Sequence, residues 1–96
     1  MDPIITELVR DWVRIKITDL DDTEIRPMIE SCINDLRLSG IKKLSTKDPL
    51  IRQCIKLYAR AEFNFDGIGD KYREMYKELK NALGISMEYT TEADNV

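Results

Sequence analysis

The stretch over residues 48–66, DPLIRQCIKLYARAEFNFD, constrains the fold of this chain more than any other. The Asp48 carboxylate can accept from the free N–H groups of a first helical turn. Pro49 suits the first helical position, where its missing N–H costs nothing. Leu50, Ile51, Cys54, Ile55, Tyr58, Ala61 and Phe65 then recur at helical spacing, and Leu57 and Ala59 widen the apolar arc. Arg52, Lys56 and Arg60 hold what remains of a wet face. A helix this apolar has to be covered on more than one side, so the other segments are expected to surround it.

Those segments read as helices too. Asp2-Pro3 repeats the cap signal, and Ile5, Leu8, Val9, Trp12 and Val13 form the stripe of a first helix that should end near Arg14. Ile15-Lys16-Ile17 alternates but has no partner strand, so it is read as an irregular link. The run Thr18-Asp19-Leu20-Asp21-Asp22-Thr23-Glu24 is dense in capping residues, and Asp21 with Glu24 has the spacing of a loose capping box. A second helix carries Ile25, Met28, Ile29, Cys32, Ile33 and Leu36, with Pro27 tolerated in its first turn and Ser39-Gly40 as its stop. Residues 41–47 form a polar connection. Asp66-Gly67-Ile68-Gly69 is a turn, and a fourth helix from Asp70 carries Tyr72, Met75, Tyr76, Leu79 and Leu83 before Gly84.

The expected fold is therefore all-α, a small bundle of about four helices with short loops. Trp12, Ile29, Ile33, Cys54, Ile55, Tyr58 and Tyr76 are its candidate core. Residues 1–86 are expected to form one domain, and residues 87–96, aperiodic and acidic, a flexible tail. Ninety-six residues suit one domain, since a chain of this size buries roughly 60–65% of its unfolded surface. At 43% hydrophobic and 34% charged the composition is globular. No run approaches a membrane span and no secretory leader opens the chain, so a membrane location is not expected.

Catalytic and metal chemistry find little support. The chain has no histidine, the commonest general base and metal ligand. Cys32 and Cys54 both fall on apolar stripes, which favours buried reduced thiols over a disulfide or metal site, in keeping with a reducing cytoplasm. Asp19, Asp21, Thr23 and Glu30 match four positions of a calcium-binding EF-hand loop. Glu24, however, occupies its glycine position, and a helix is already running at Pro27. Gly67-Ile68-Gly69 lacks the third glycine of a dinucleotide fingerprint, with Tyr72 in its place and Asp70 repelling an anion. No enzyme and no cofactor is expected.

Charge is unevenly distributed. Residues 1–36 carry four basic and nine acidic side chains, net −5. Residues 37–56 carry Arg37, Lys42, Lys43, Lys47, Arg52 and Lys56 against Asp48 alone, net +5; the remainder is net −3, as is the whole chain. The basic middle is either ordinary solvated surface or a face that meets an acidic neighbouring subunit or nucleic acid.

Three stretches together resemble the phage head–tail connector proteins, small helical adaptors also described as DNA-packaging or head-completion proteins. They are Ile15-Lys16-Ile17-Thr18-Asp19-Leu20-Asp21-Asp22 opening the second helix, Asp48-Pro49-Leu50-Ile51 leading into Leu57-Tyr58-Ala59-Arg60-Ala61-Glu62-Phe63, and Tyr72-Arg73-Glu74-Met75-Tyr76-Lys77-Glu78-Leu79-Lys80 closing at Leu83-Gly84-Ile85. The resemblance covers roughly residues 5–86. It implies a structural role in virion assembly: a homo-oligomeric ring on the portal protein, extending the DNA channel and docking head-completion or tail proteins. The free chain can still be a monomer. DNA would pass without sequence-specific binding, and the protein would be found in the virion and, during assembly, in the host cytoplasm. The resemblance further implies that loops and ends order against neighbours. Lys42, Lys43 and Lys47 are then candidates to face the channel, and Met87, Glu88 and Tyr89 candidates for subunit or portal contacts.

Two other readings compete. One is a helix-turn-helix-like nucleic-acid-binding packaging or regulatory factor, built on the second and central helices. The central helix is too apolar for a major groove and the net charge is negative, which weigh against it. The other is an unrelated helical adaptor that binds a partner helix.

Overall fold

The computed structural model describes residues 3–91, which are helical with no strand among them. Helix α1 spans Pro3–Trp12, α2 Arg26–Leu38, α3 Pro49–Phe63 and α4 Gly69–Gly84, and α5 is a single turn, Met87–Thr90. A π-helical turn, Asp21–Ile25, leads into α2. The four longer helices and their order are those the periodicity predicts. Asp2, the expected cap of α1, lies outside the described residues.

Helix α3 begins as its sequence dictates. Asp48 is extended (ψ 130°), and its Oδ1 accepts from the N–H groups of Leu50 (2.9 Å) and Ile51 (3.2 Å). The helix then packs against α1, α2 and α4 at once. Ile51, Cys54, Ile55 and Ala59 lose all solvent exposure, and Leu57 and Ala61 nearly all. Burial of a side chain the size of isoleucine stabilises by about 1.5–3 kcal/mol, so α3 is the main apolar donor to the core.

At its end, Asn64 takes the left-handed conformation (φ 47°) and its Oδ1 accepts from the Gly69 N–H at 2.8 Å. One side chain thus closes α3 and holds the start of α4. The corner is tight: a Cβ on Gly69 would lie 2.8 Å from the Ala61 carbonyl oxygen. Gly69→Ala is expected to destabilise by roughly 1–2 kcal/mol. A urea titration checks this, the midpoint falling with an unchanged slope.

Helices α1 and α2 end in the same way. After α2, Gly40 (φ 91°) lets the Ile41 N–H reach the Leu36 carbonyl and the Gly40 N–H reach that of Arg37. After α1, the Ile15 N–H bonds to the Arg10 carbonyl and the Arg14 N–H to that of Asp11, with Arg14 itself at φ 60°. A non-glycine residue there costs about 1–2 kcal/mol. Its guanidinium lies 5.4 Å over the Phe65 ring, a cation–π contact that offsets part of that cost. Helix α1 therefore stops at Trp12, short of Arg14, at a turn that no glycine announces.

The capping box expected of Asp21 and Glu24 does not form, and no side chain caps the π turn or α2. Asp21 instead lies 3.1 Å from Arg10 Nε of α1, an ion pair between elements without hydrogen-bond alignment. Both side chains are largely shielded, which makes that attraction stronger than a cap in water. The turn closes through the Ile25 N–H and the Leu20 carbonyl, five residues apart, and Ile25 is fully buried.

Of the expected core residues, Ile29, Cys54 and Ile55 are inaccessible and Tyr76 is 5% exposed, whereas Trp12, Ile33 and Tyr58 are half-buried. These three sit at the edges of their stripes. Trp12 is roofed by Lys56, whose Nζ lies 6.0 Å from the ring centroid, and Tyr58 meets Tyr76 edge-on at 5.2 Å. Ile33 lines a surface groove. Val13, Ile5 and Val9 fill the α1 side of the core more completely than Trp12.

Cys32 and Cys54 are buried and free. Burial, reinforced by neighbouring groups, pushes both thiols up, Cys54 to about 12. Neither thiolate is accessible at neutral pH, so the two are expected to react with a maleimide only as fast as the native protein opens. Mass spectrometry of native and urea-unfolded protein reads this directly: no label in the first, two in the second.

Candidate functional site

The segment after Gly40 was expected to be a polar connection, and residues 87–96 a tail. The structure instead ties them together. Ile41 is fully buried, and the N–H groups of Lys42 and Lys43 both donate to the Tyr89 carbonyl (2.7 and 3.2 Å). Tyr89 is 5% exposed, and its hydroxyl donates to the Asp48 carboxylate (2.9 Å to Oδ1, 3.1 Å to Oδ2). Structure therefore continues past the boundary expected at residue 86, through the turn Met87–Thr90, which Tyr89 joins to the link. Four-residue α5 is too short for any periodicity to show, and a single buried tyrosine carries its attachment. Residues 92–96 of the expected tail lie outside the described residues.

Asp48 is the centre of this arrangement. It caps α3, accepts from Tyr89 and lies 3.3 Å from Lys43 Nζ, which also reaches Glu88 (3.2 Å) and stands 4.9 Å over the Tyr89 ring. Burial pushes the Asp48 carboxyl up. The Ile51 N–H, the Tyr89 hydroxyl, Lys43 and the Leu50 N–H outweigh it and hold the group below its usual value. The hydrogen bonds that the Lys43 ammonium donates to Glu88 and Asp48 raise its own pKa in turn.

The three lysines singled out in this link therefore differ. Lys43 is engaged by two carboxylates, while Lys42 and Lys47 are exposed and have no carboxylate partner within 4 Å among the described residues. Of the three C-terminal candidates, Met87 is 80% exposed and Glu88 exposed, but Tyr89 holds the chain to itself. Among the described residues Arg37 is also without a carboxylate partner, its guanidinium donating to Asn34 Oδ1 at 2.7 Å; the Arg52 Nε donates to the Thr46 carbonyl at 2.7 Å.

Beside the link runs a groove. One depression of about 400 Å³ is lined by Ile29, Ile33 and Leu44 with Glu30, Asn34, Arg37 and Thr46. A second, of about 320 Å³, is lined by Ile41, Leu44, Arg37 and Lys42. The two share Arg37 and Leu44, so an apolar floor passes between two cations. Arg37 and Leu44 carried no signal in the sequence as a pair; only the α2 stop brings them together.

On the opposite side of α2, Asp35 accepts from the Tyr76 hydroxyl at 2.6 Å and from Lys80 Nζ at 3.1 Å. Burial and the hydrogen bond to Asp35 push the Tyr76 hydroxyl far up. Every resolved shift at these cysteines and tyrosines runs away from a reactive anion. The chemistry offered is recognition, through apolar grooves and charge. Among the described residues no helix is long and apolar enough to cross a membrane.

A small helical bundle with apolar grooves rimmed by charge has the surface features of a protein that binds other proteins. This chain belongs to the phage connector family: the family model described as "Phage connector protein" matches residues 5–90, nearly the whole described chain. The match includes Met87–Thr90 and so covers the C-terminal turn as well as the bundle. No curated protein and no solved structure matches the chain. Membership makes it a structural phage protein, associated with the virion and interacting with other head or tail proteins.

Proposed function

We propose that the protein is a head–tail connector that assembles as a ring on the portal, extends the DNA channel and docks later head-completion or tail proteins. The family match over residues 5–90 carries this reading. The surface supports it. Leu38 (88% exposed), Ile85 (87%) and Met87 (80%) are bared where the C-terminal ends of α2 and α4 come together, Gly84 lying against the Ser39 carbonyl. Large apolar side chains left this exposed are available to a protein contact. Its role is structural and non-catalytic, with no cofactor. We place Lys47, exposed and without a carboxylate partner among the described residues, toward the channel, where a mildly acidic protein lets DNA pass without gripping it.

The helix-turn-helix alternative fits less well, because α3 buries residues on all but its cationic edge and leaves no face for a major groove. Native mass spectrometry of the protein alone, with the portal protein of the same phage, and with a short duplex tests the reading. A defined multimer on the portal with little duplex binding is expected. Tight duplex binding with no portal complex overturns it.

A further inference from the structure

We infer that the groove between α2 and the 41–46 link receives the acidic turn, residues 17–24, of a second copy of this chain in a head-to-tail contact. The inference rests on the ring reading above and names the two faces that would build it.

The groove has an apolar floor, Ile33 and Leu44, between Arg37 and Lys42, with Glu30 also in its lining near the other end; neither cation has a carboxylate partner among the described residues. Its occupant should therefore bring an apolar side chain flanked by carboxylates. The turn before α2 has that composition. Ile17 is 54% exposed, and Asp19 and Glu24 are exposed with no cation partner within 4 Å among the described residues. Nearby Asp21 and Asp22 are already engaged by Arg10 and Arg26.

Within one molecule the carboxylates of the turn do not pair with the groove's Arg37: the turn precedes Arg26, and Arg37 lies three turns further along α2, roughly 16 Å away at the helical rise. A contact between two different faces of identical chains repeats, and it closes into a ring when the rotation allows. Opposite charges at such a contact set its register and speed its formation. They also make it weaken with salt.

Two charge-reversed chains test the contact: Arg37→Glu with Lys42→Glu, and Asp19→Lys with Glu24→Lys. All four positions are exposed, and matching thermal melts establish that both variants fold. Assembly is followed by sedimentation velocity and native mass spectrometry at low salt, alone and on the portal of the same phage. Each variant alone is expected to associate about ten- to a hundredfold more weakly than wild type, since two attractions become two repulsions. An equimolar mixture is expected to recover wild-type assembly, because each reversed groove then meets a reversed turn and each native groove a native turn. Carbodiimide coupling of wild-type ¹⁴N and ¹⁵N chains should join Lys42 of one copy to Asp19 or Glu24 of another.

If each variant assembles as wild type does, these faces are wrong while the ring reading stands. If the groove variant keeps assembling but loses affinity for a 30-base-pair duplex, the groove is a phosphate site and the inference fails. A mixture that stays as weak as its components overturns it too. Wild-type protein that forms no multimer, alone or on the portal, removes the ring reading and this contact with it.

Discussion

Ile55→Ala is expected to lower the unfolding free energy by about 2–5 kcal/mol, the largest effect of any single truncation considered for this chain. Ile55 has no solvent exposure and lies in the middle of α3, which packs on α1, α2 and α4. Removing its outer carbons leaves a cavity whose walls belong to several helices, and no one of them can collapse into it alone. For a domain of this size each kcal/mol moves the melting temperature by roughly 4–8 °C. A circular-dichroism melt should therefore fall by at least about 8 °C. A midpoint within a degree or two of wild type would mean that α3 is not the centre of the fold.

Asp48→Ala is expected to cost about 2–4 kcal/mol. Losing the cap of α3 accounts for about 1–2 kcal/mol of this. The rest comes from the Tyr89 hydroxyl, which is buried beneath the link and would lose the acceptor that satisfies it. The effect depends on pH in a definite direction. The folded Asp48 carboxyl is held below its ordinary value, so its contribution is complete above that value, near pH 4, and is lost as the pH falls through the lower, folded one. The stability gap between wild type and Asp48→Ala should therefore be full at pH 7 and narrow below about pH 4. Asp48→Asn separates the parts, because asparagine still caps the helix and accepts from Tyr89 while losing the charge facing Lys43. It should fall between the two and show the flatter acid profile. An equal gap at pH 3 and pH 7 would mean that the charge contributes nothing.

Asp35 belongs to the same pH window. Burial raises its carboxyl, but the Tyr76 hydroxyl and Lys80 lower it further than burial raises it. Acid unfolding of this protein should thus begin at the two joints where a tyrosine hydroxyl meets a carboxylate, Tyr76 on Asp35 and Tyr89 on Asp48. Both fix chain segments more than 40 residues apart in sequence.

The helices themselves were legible in the sequence because each rests on short-range signals. Asp48-Pro49 starts α3 and Gly40 stops α2, each through atoms within a few residues. The apolar spacing of Ile25, Met28, Ile29, Cys32, Ile33 and Leu36 fixes which face of the second helix is buried: five of the six are buried, and Ile33, at the edge of the stripe, is half-buried. The family resemblance was legible in the same stretches, and the family model covers them. What the sequence by itself determined is therefore the set of helices, their order, and the separation of acidic and basic segments.

Only the tertiary structure decided where the ends belong and which charges remain free. Nothing near Tyr89 marks it as an anchor, because its partners, Asp48 and the Lys42 and Lys43 amides, lie more than 40 residues away. Lys42, Lys43 and Lys47 lie in one link, yet among the described residues only Lys43 meets carboxylates, Asp48 and the Glu88 that α5 carries to it. Asp21 has the local chemistry of a cap, but the approach of Arg10 from α1 gives it a different partner, and a π turn forms where a capping box was expected. At Asp21 the long-range contact outweighs the local preference because both side chains are largely shielded, and burial strengthens the electrostatic contact that the local cap would have to match.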